Sequence, residues 1–231
     1  MRELRELTRY RAKLVNMRTS SKDQLHAVLA KLGVPVPYSD LFDAGGNAWL
    51  DELTLPQPYR GKIASLRQLI EVHTGEIGLL EEVIAELLRG HAGYRAIRAL
   101  PGIGPVLAAV IVAEIGDNTR FARPEKLCCW AGLTPRHRES DLKVARGHIT
   151  KQGSTILRWA LIEAIQHQRT GSPIRAVKDR ILARRGKEAR NIAKVAAARE
   201  LATLVFYGMR DGRIRALQRM QDQPAAASRA A

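Results

Sequence analysis

Apolar residues recur every three or four positions along residues 1–33, at Leu4, Leu7, Leu14, Leu25, Val28, Leu29 and Leu32. A period near 3.6 predicts an amphipathic helix, stopped by Gly33 and the Pro35/Pro37 pair. A Pro-, Gly- and Asp-rich stretch follows to Pro58. Its Leu41, Phe42, Trp49 and Leu50 supply the bulk for one or two short packed turns. From Tyr59 to about Gly90 a second long helix is expected from Ile63, Leu66, Leu69, Ile70, Ile77, Leu80, Val83, Ile84 and Leu87. These positions resemble a heptad seam, weakened by Gly75 and Gly78. Two long helices around a bend form either an antiparallel hairpin within the chain or a dimerising coiled coil, and the pattern leaves both open. No capping residue precedes Leu4. A helix continued from a longer chain and a frayed natural terminus account for that equally.

Beyond residue 90 the pattern shortens. A helix over roughly His91–Ala99 leads into Leu100-Pro-Gly-Ile-Gly-Pro105 and then the apolar helix Val106–Ile115. Gly102 and Gly104 permit a tight turn and close backbone approach, and Pro105 suits the first turn of the next helix. The N–H groups at that helix start, with the helix dipole, form an anion site. This is the helix-hairpin-helix pattern, which grips a nucleic-acid backbone without reading sequence. Phe121 to Trp130 reads as a helix ending near Gly132. Residues 136–154 are polar, basic and poor in helical period, so a loop or short β-hairpin is expected there, carrying Arg136, Arg138, Lys143, Arg146 and Lys151. Ser154 or Gly153 then caps a helix with Leu157, Trp159, Leu161 and Ile165. Further helices fit 172–185 and 187–209, and a Gln/Pro/Ala tail begins near 222.

Composition narrows the function classes. The chain has 231 residues, 45% apolar and 26% charged, which suits a folded protein. Its net charge of +15 is not evenly spread. Residues 1–90 hold 12 basic and 12 acidic residues, whereas residues 91–231 hold 26 and 11. Such segregation points to a polyanion-binding part attached to a neutral spacer. No apolar run is long enough for a membrane span and no signal peptide opens the chain. The two cysteines, Cys128 and Cys129, are adjacent, which suits neither a disulfide framework nor a zinc module. The reducing cytosol is the expected compartment.

Three stretches, LPGIGPVLAAVIVAEIGDNTRF, LCCWAGLTP and RGHITKQGSTILRWALIEAI, carry a resemblance. In this order and spacing, over about residues 95–210, the chain resembles the C-terminal transposase domain of the IS one-ten insertion-sequence group. Residues 1–90 look like that family's coiled-coil connector. Family members begin with a RuvC-like domain whose DEDD carboxylates bind metal, so the resemblance implies a truncated copy. It implies no cofactor in this chain, with Mg2+ expected only alongside the absent domain. It also implies DNA and a noncoding guide RNA as partners, together with a homo-oligomeric assembly.

The family's domain bears a nucleophilic serine between its Gly-Leu-x-Pro and Lys-x-Gly elements. Ser140 matches that serine and Lys143 the following lysine, while Asp141 and Leu142 stand where the family has glycines. The implied chemistry is transesterification through a phosphoserine link. Arg136, Arg138, Lys143 and Arg146 would stabilise charge on phosphorus, and His137 and His148 are acid/base or phosphate-contact candidates. Ser154 is the rival nucleophile, with helix capping as its other role. The alternative function is a non-catalytic helix-hairpin-helix nucleic-acid-binding protein. The expected fold is mainly all-α. A helical connector (1–90) precedes a helix-hairpin-helix transposase domain (91–221), with a loop or β-hairpin near 134–150 and a disordered tail (222–231).

Overall fold

The computed structural model describes residues 1–140 and 143–217, with backbone alone for 137–140 and 143–146. The fold is predominantly α-helical, with one small two-stranded sheet among the described residues. The chain divides into two compact units, Arg9–Val83 and a second formed by Met1–Thr8 with Ile84 onward.

The first unit is built from α1 (Arg2–Lys31), α2 (Ala44–Glu52) and α3 (Tyr59–Leu88), the outer two reaching beyond its limits. Within it the two long helices run antiparallel. Arg11 pairs with Glu81, and Leu25, Val28 and Leu29 of α1 share a core with Ile63 and Leu66 of α3. Leu41 and Leu50 close that core from the Pro/Gly-rich connector. The connector holds more structure than its sequence suggests, because α2 is a nine-residue helix capped by Asp43, whose carboxylate accepts from Gly46 N–H at 2.7 Å. The α3 seam splits. Ile63, Leu66, Ile77 and Ile84 are buried, while Leu69, Val72, Leu79 and Val83 are exposed.

The second unit contains α4 (Ala92–Arg98), α5 (Pro105–Ile115), α6 (Pro124–Trp130), the strands β1 (Pro135–Ser140) and β2 (Lys143–Ile149), α7 (Thr155–Gln166), α8 (Pro173–Arg185) and α9 (Arg190–Asp211). Short 3-10 turns precede α6 and α9. Helix α5 is its axis, buried from Ala108 through Ile115. Around it pack α4 and α7, and α9 contributes a row of small residues, Ala193, Ala197, Ala198 and Ala202, that lets neighbouring helices approach closely. The strands pair antiparallel with a register shift between Pro135 and His137. The hairpin expectation for 134–150 is the form adopted.

Candidate nucleic-acid interface

The Leu100–Pro105 turn joins α4 to α5 and shows why two glycines stand in it. Gly102 has φ +79°, and a Cβ there would overlap the Ala164 carbonyl at the end of α7. Only glycine meets both demands. Gly104 is different. It is the N-cap of α5 with φ −79°, exposed, and nothing lies within 4 Å of a Cβ built on it. Its use is access: no side chain caps the first turn of α5, leaving donor N–H groups there for an anion.

A buried polar network fixes this turn, and sequence reading missed it. Gln168, almost fully enclosed, donates to the Pro101 carbonyl and, at 3.1 Å, to the Ala164 carbonyl. Its side-chain oxygen accepts from Ser172 Oγ at 2.9 Å, and the same Oγ accepts from Arg175 N–H at 3.1 Å to cap α8. Both polar atoms of the Gln168 side chain are thereby used in holding the hairpin against α7 and α8. Ser-Pro at 172–173 is a legible helix-start signal. The tie from Gln168 to residue 101 is a long-range contact with no local signature.

The turn opens into a concavity of about 630 Å³ lined by residues 98–107 with His167 and Arg169. Arg98 and Arg169 are exposed and put two cations around a helix N-terminus, while His167, also exposed, lies 3.3 Å from the Glu163 carboxylate. Arg136, Lys151 and Ser154 do not line it.

Those residues belong to a second locality, at the base of the β-hairpin. Arg136 and His148 are exposed at its described end. Lys151 is exposed and left-handed, at φ 56°, its N–H donating to Gly132 O at 3.2 Å. That conformation costs a side-chain-bearing residue about 1–2 kcal/mol. Ser154 Oγ accepts from Leu157 N–H at 3.1 Å, so it caps α7. Arg158 donates to the Ala131 and Gln152 carbonyls at 3.0 and 2.9 Å and ties α7 to the hairpin base. The backbone register sets Ser140 opposite Lys143, His137 opposite Arg146 and Arg138 opposite Ala145. The side chains of His137, Arg138, Ser140, Lys143 and Arg146 lie outside the described residues, as do Asp141 and Leu142 altogether.

Several cations are already engaged. Arg120 lies over the Phe121 and Trp130 rings at 4.6 and 4.3 Å. Arg210 pairs with Asp211, whose carboxyl that contact holds below its usual pKa. His91 caps α4 by accepting from Tyr94 N–H at 3.0 Å, and burial lowers its pKa. Burial pushes the Cys128 thiol up to about 11, away from nucleophilic use. No cluster of three or more His, Cys, Asp or Glu suited to a metal occurs among the described residues.

The hairpin, its cationic mouth, both strands and α7 all fall in one stretch that known proteins share. Residues 94–177 match the transposase family IS116/IS110/IS902. The "Probable family 20 transposase" of Pseudomonas aeruginosa is 28% identical over 69% of this chain and 48% of its own length. "Insertion element IS110 uncharacterized 43.6 kDa protein" of Streptomyces coelicolor is 28% identical over 75% of this chain and 42% of its own. "Transposase for insertion sequence element IS1111A" of Coxiella burnetii is 24% identical over 69% and 45%. The chain spans about half the length of the curated relatives it matches. Its partial match to insertion-sequence transposases thus takes in the whole of the cationic mouth. No helix among the described residues is long and apolar enough to cross a membrane.

Proposed function

We propose that this chain is the DNA-holding, serine-bearing part of an IS110-type transposase. The observation that carries the reading is the Leu100–Pro105 turn. Inside the family-matched stretch it brings an uncapped helix start together with Arg98, His167 and Arg169 around one concavity. Such a site fits the phosphodiester backbone and positions DNA without regard to its sequence.

Chemistry would fall to Ser140. Its Oγ forms a bond to phosphorus, the bond from phosphorus to the departing deoxyribose oxygen breaks, and the hydroxyl proton passes to a base in the assembled site and on to the leaving oxygen. The phosphoserine ester keeps the energy of the broken bond for rejoining. Register opposite Lys143 sets a cation-bearing residue across the strand pair from the serine. Metal-binding carboxylates, a guide RNA and other copies of the chain belong to the same proposal. Leu69, Val72, Leu79 and Val83, exposed along α3, suit self-association.

The test supplies the full chain with a RuvC-like domain from a relative, its guide RNA and paired DNA sites, and looks for covalent protein–DNA adducts. Adducts lost in Ser140→Ala and kept in Ser154→Ala support the assignment. The reverse pattern transfers it to Ser154. DNA binding with no adduct under any condition favours the non-catalytic binding protein.

A further inference from the structure

Helix α8 is unlike every other long helix of the chain. Of its 13 residues only Ile174 is buried, and five are basic against one acid. One strip, Ile174, Val177, Ile181 and Leu182, holds α8 against α9, and the side turned away from it is left uncovered.

At about 100° per residue, Ala176, Asp179 and Ala183 lie within roughly 40° of the direction opposite Ile174. All three are exposed. The outermost ridge of α8 is therefore low, two alanines and one short acid. Arg180 and Arg184 rise along one flank, both exposed and without an ion pair among the described residues. Arg175 stands on the other flank. It is anchored by its donation to the Gln168 carbonyl at 3.2 Å and lies 3.4 Å from Asp179, the one acid, whose charge it offsets. Only the first turns of α8 fall within the family-matched residues, so Arg180, Ala183 and Arg184 lie beyond it.

We infer that α8 seats in the major groove of duplex DNA, with the Ala176–Ala183 ridge facing the groove floor and the flanking arginines on the phosphates of the two walls. The dimensions agree. A helix is about 10–12 Å across with its side chains, and the groove is about 12 Å wide. A helix lying in it needs the side that enters the groove free, as α8 has it opposite its contact with α9. Alanine on the ridge lets the backbone approach and suits contact with thymine methyls. The N-terminus of α8 is fixed to the Leu100–Pro105 turn through Ser172 and Gln168, so the groove helix and the backbone-gripping turn are held by one network. This inference rests on the DNA-holding reading above.

The test measures binding of the full chain to a 20-base-pair DNA duplex by fluorescence anisotropy across a salt series, with circular dichroism to verify folding. Arg180→Gln with Arg184→Gln is expected to weaken binding at least ten-fold and flatten the salt slope by about 1.8 in log K per log salt, two phosphates at about 0.9 each. Ala176→Leu with Ala183→Leu changes no charge and keeps a high helix propensity. It is expected to weaken duplex binding about ten-fold and leave single-stranded DNA unchanged, because a single strand has no groove. Double-stranded RNA should also be indifferent to the leucines, its major groove being too deep and narrow for a helix. Leucine variants that bind duplex like the parent, or lose single-strand or RNA binding equally, overturn the groove placement and leave a merely cationic surface. A parent chain that binds no duplex at low salt removes the DNA-holding reading and this inference with it.

Discussion

The two units are both helical and similar in hydrophobic construction, yet they differ in their balance of charge. In Arg9–Val83 the arginines that meet acids are spent on the fold, Arg11 on Glu81 and Arg67 on Asp51. Its sequence region is neutral, 12 bases against 12 acids over residues 1–90. In the unit containing Ile84 onward, Arg98, Arg169, Arg180, Arg184 and Arg185 are exposed, and none is in an ion pair among the described residues. Surface ion pairs add little stability. The difference is therefore one of balance: residues 1–90 carry as many acids as bases, whereas residues 91–231 carry fifteen more bases than acids.

The largest expected effect breaks that contrast directly. Neutralising Arg98, Arg169, Arg180 and Arg184 to Gln should cut duplex-DNA affinity by at least a hundred-fold and flatten the salt slope by about 3.6. Neutralising Arg18, Lys22, Lys31 and Lys62 instead should change affinity less than about three-fold, although the net charge falls equally. Equal losses from both sets, measured by anisotropy at matched salt, would reduce the contrast to overall charge.

The next effect sharpens it within the basic unit by separating fold from grip. Gly102→Val should destabilise by about 2–3 kcal/mol, since it combines a positive φ with a clash against Ala164. Gly104→Val meets open space at an ordinary φ, so denaturant unfolding should move by less than about 1 kcal/mol. Its branched side chain should still keep DNA off the α5 N–H groups and weaken binding to all duplex sequences alike.

The smallest effect is on pH. The cap made by His91 needs a neutral imidazole, and burial depresses its pKa from 6.5. A depressed value means this contribution is present above pH 6.5 and is lost as pH falls through the folded value. His91→Ala should cost about 1 kcal/mol at pH 8, in line with other caps. That difference should shrink on acidification, with loosening seen by hydrogen exchange first around α4.

Much of this was legible in one dimension. Long periodic segments marked α1 and α3, the Gly-x-Gly-Pro turn marked α5, and low periodicity marked the hairpin strands. What escaped shares a physical cause. Gln168 and Arg158 act through carbonyls far away or around a loop, and a polar residue near a helix end carries no sign of which carbonyl it will meet. The two glycines looked equivalent as letters, and only the proximity of α7 separates the obligatory Gly102 from the accessible Gly104. Helix α8 was readable as a helix, but which of its sides α9 leaves uncovered is a property of the packing.

The alanine row of α9 bears on how the chain comes into being. Residues 193–206 supply the surface against which α4, α6, α7 and α8 pack, and they are made last among these elements. At about 5–20 residues per second, the ribosome takes on the order of ten seconds to pass from α4 to the end of α9. Throughout that interval α4, α6, α7 and α8 lack the partner that α9 supplies, although α4 and α7 already have α5. The surface that completes this unit is thus the last of its parts to be made.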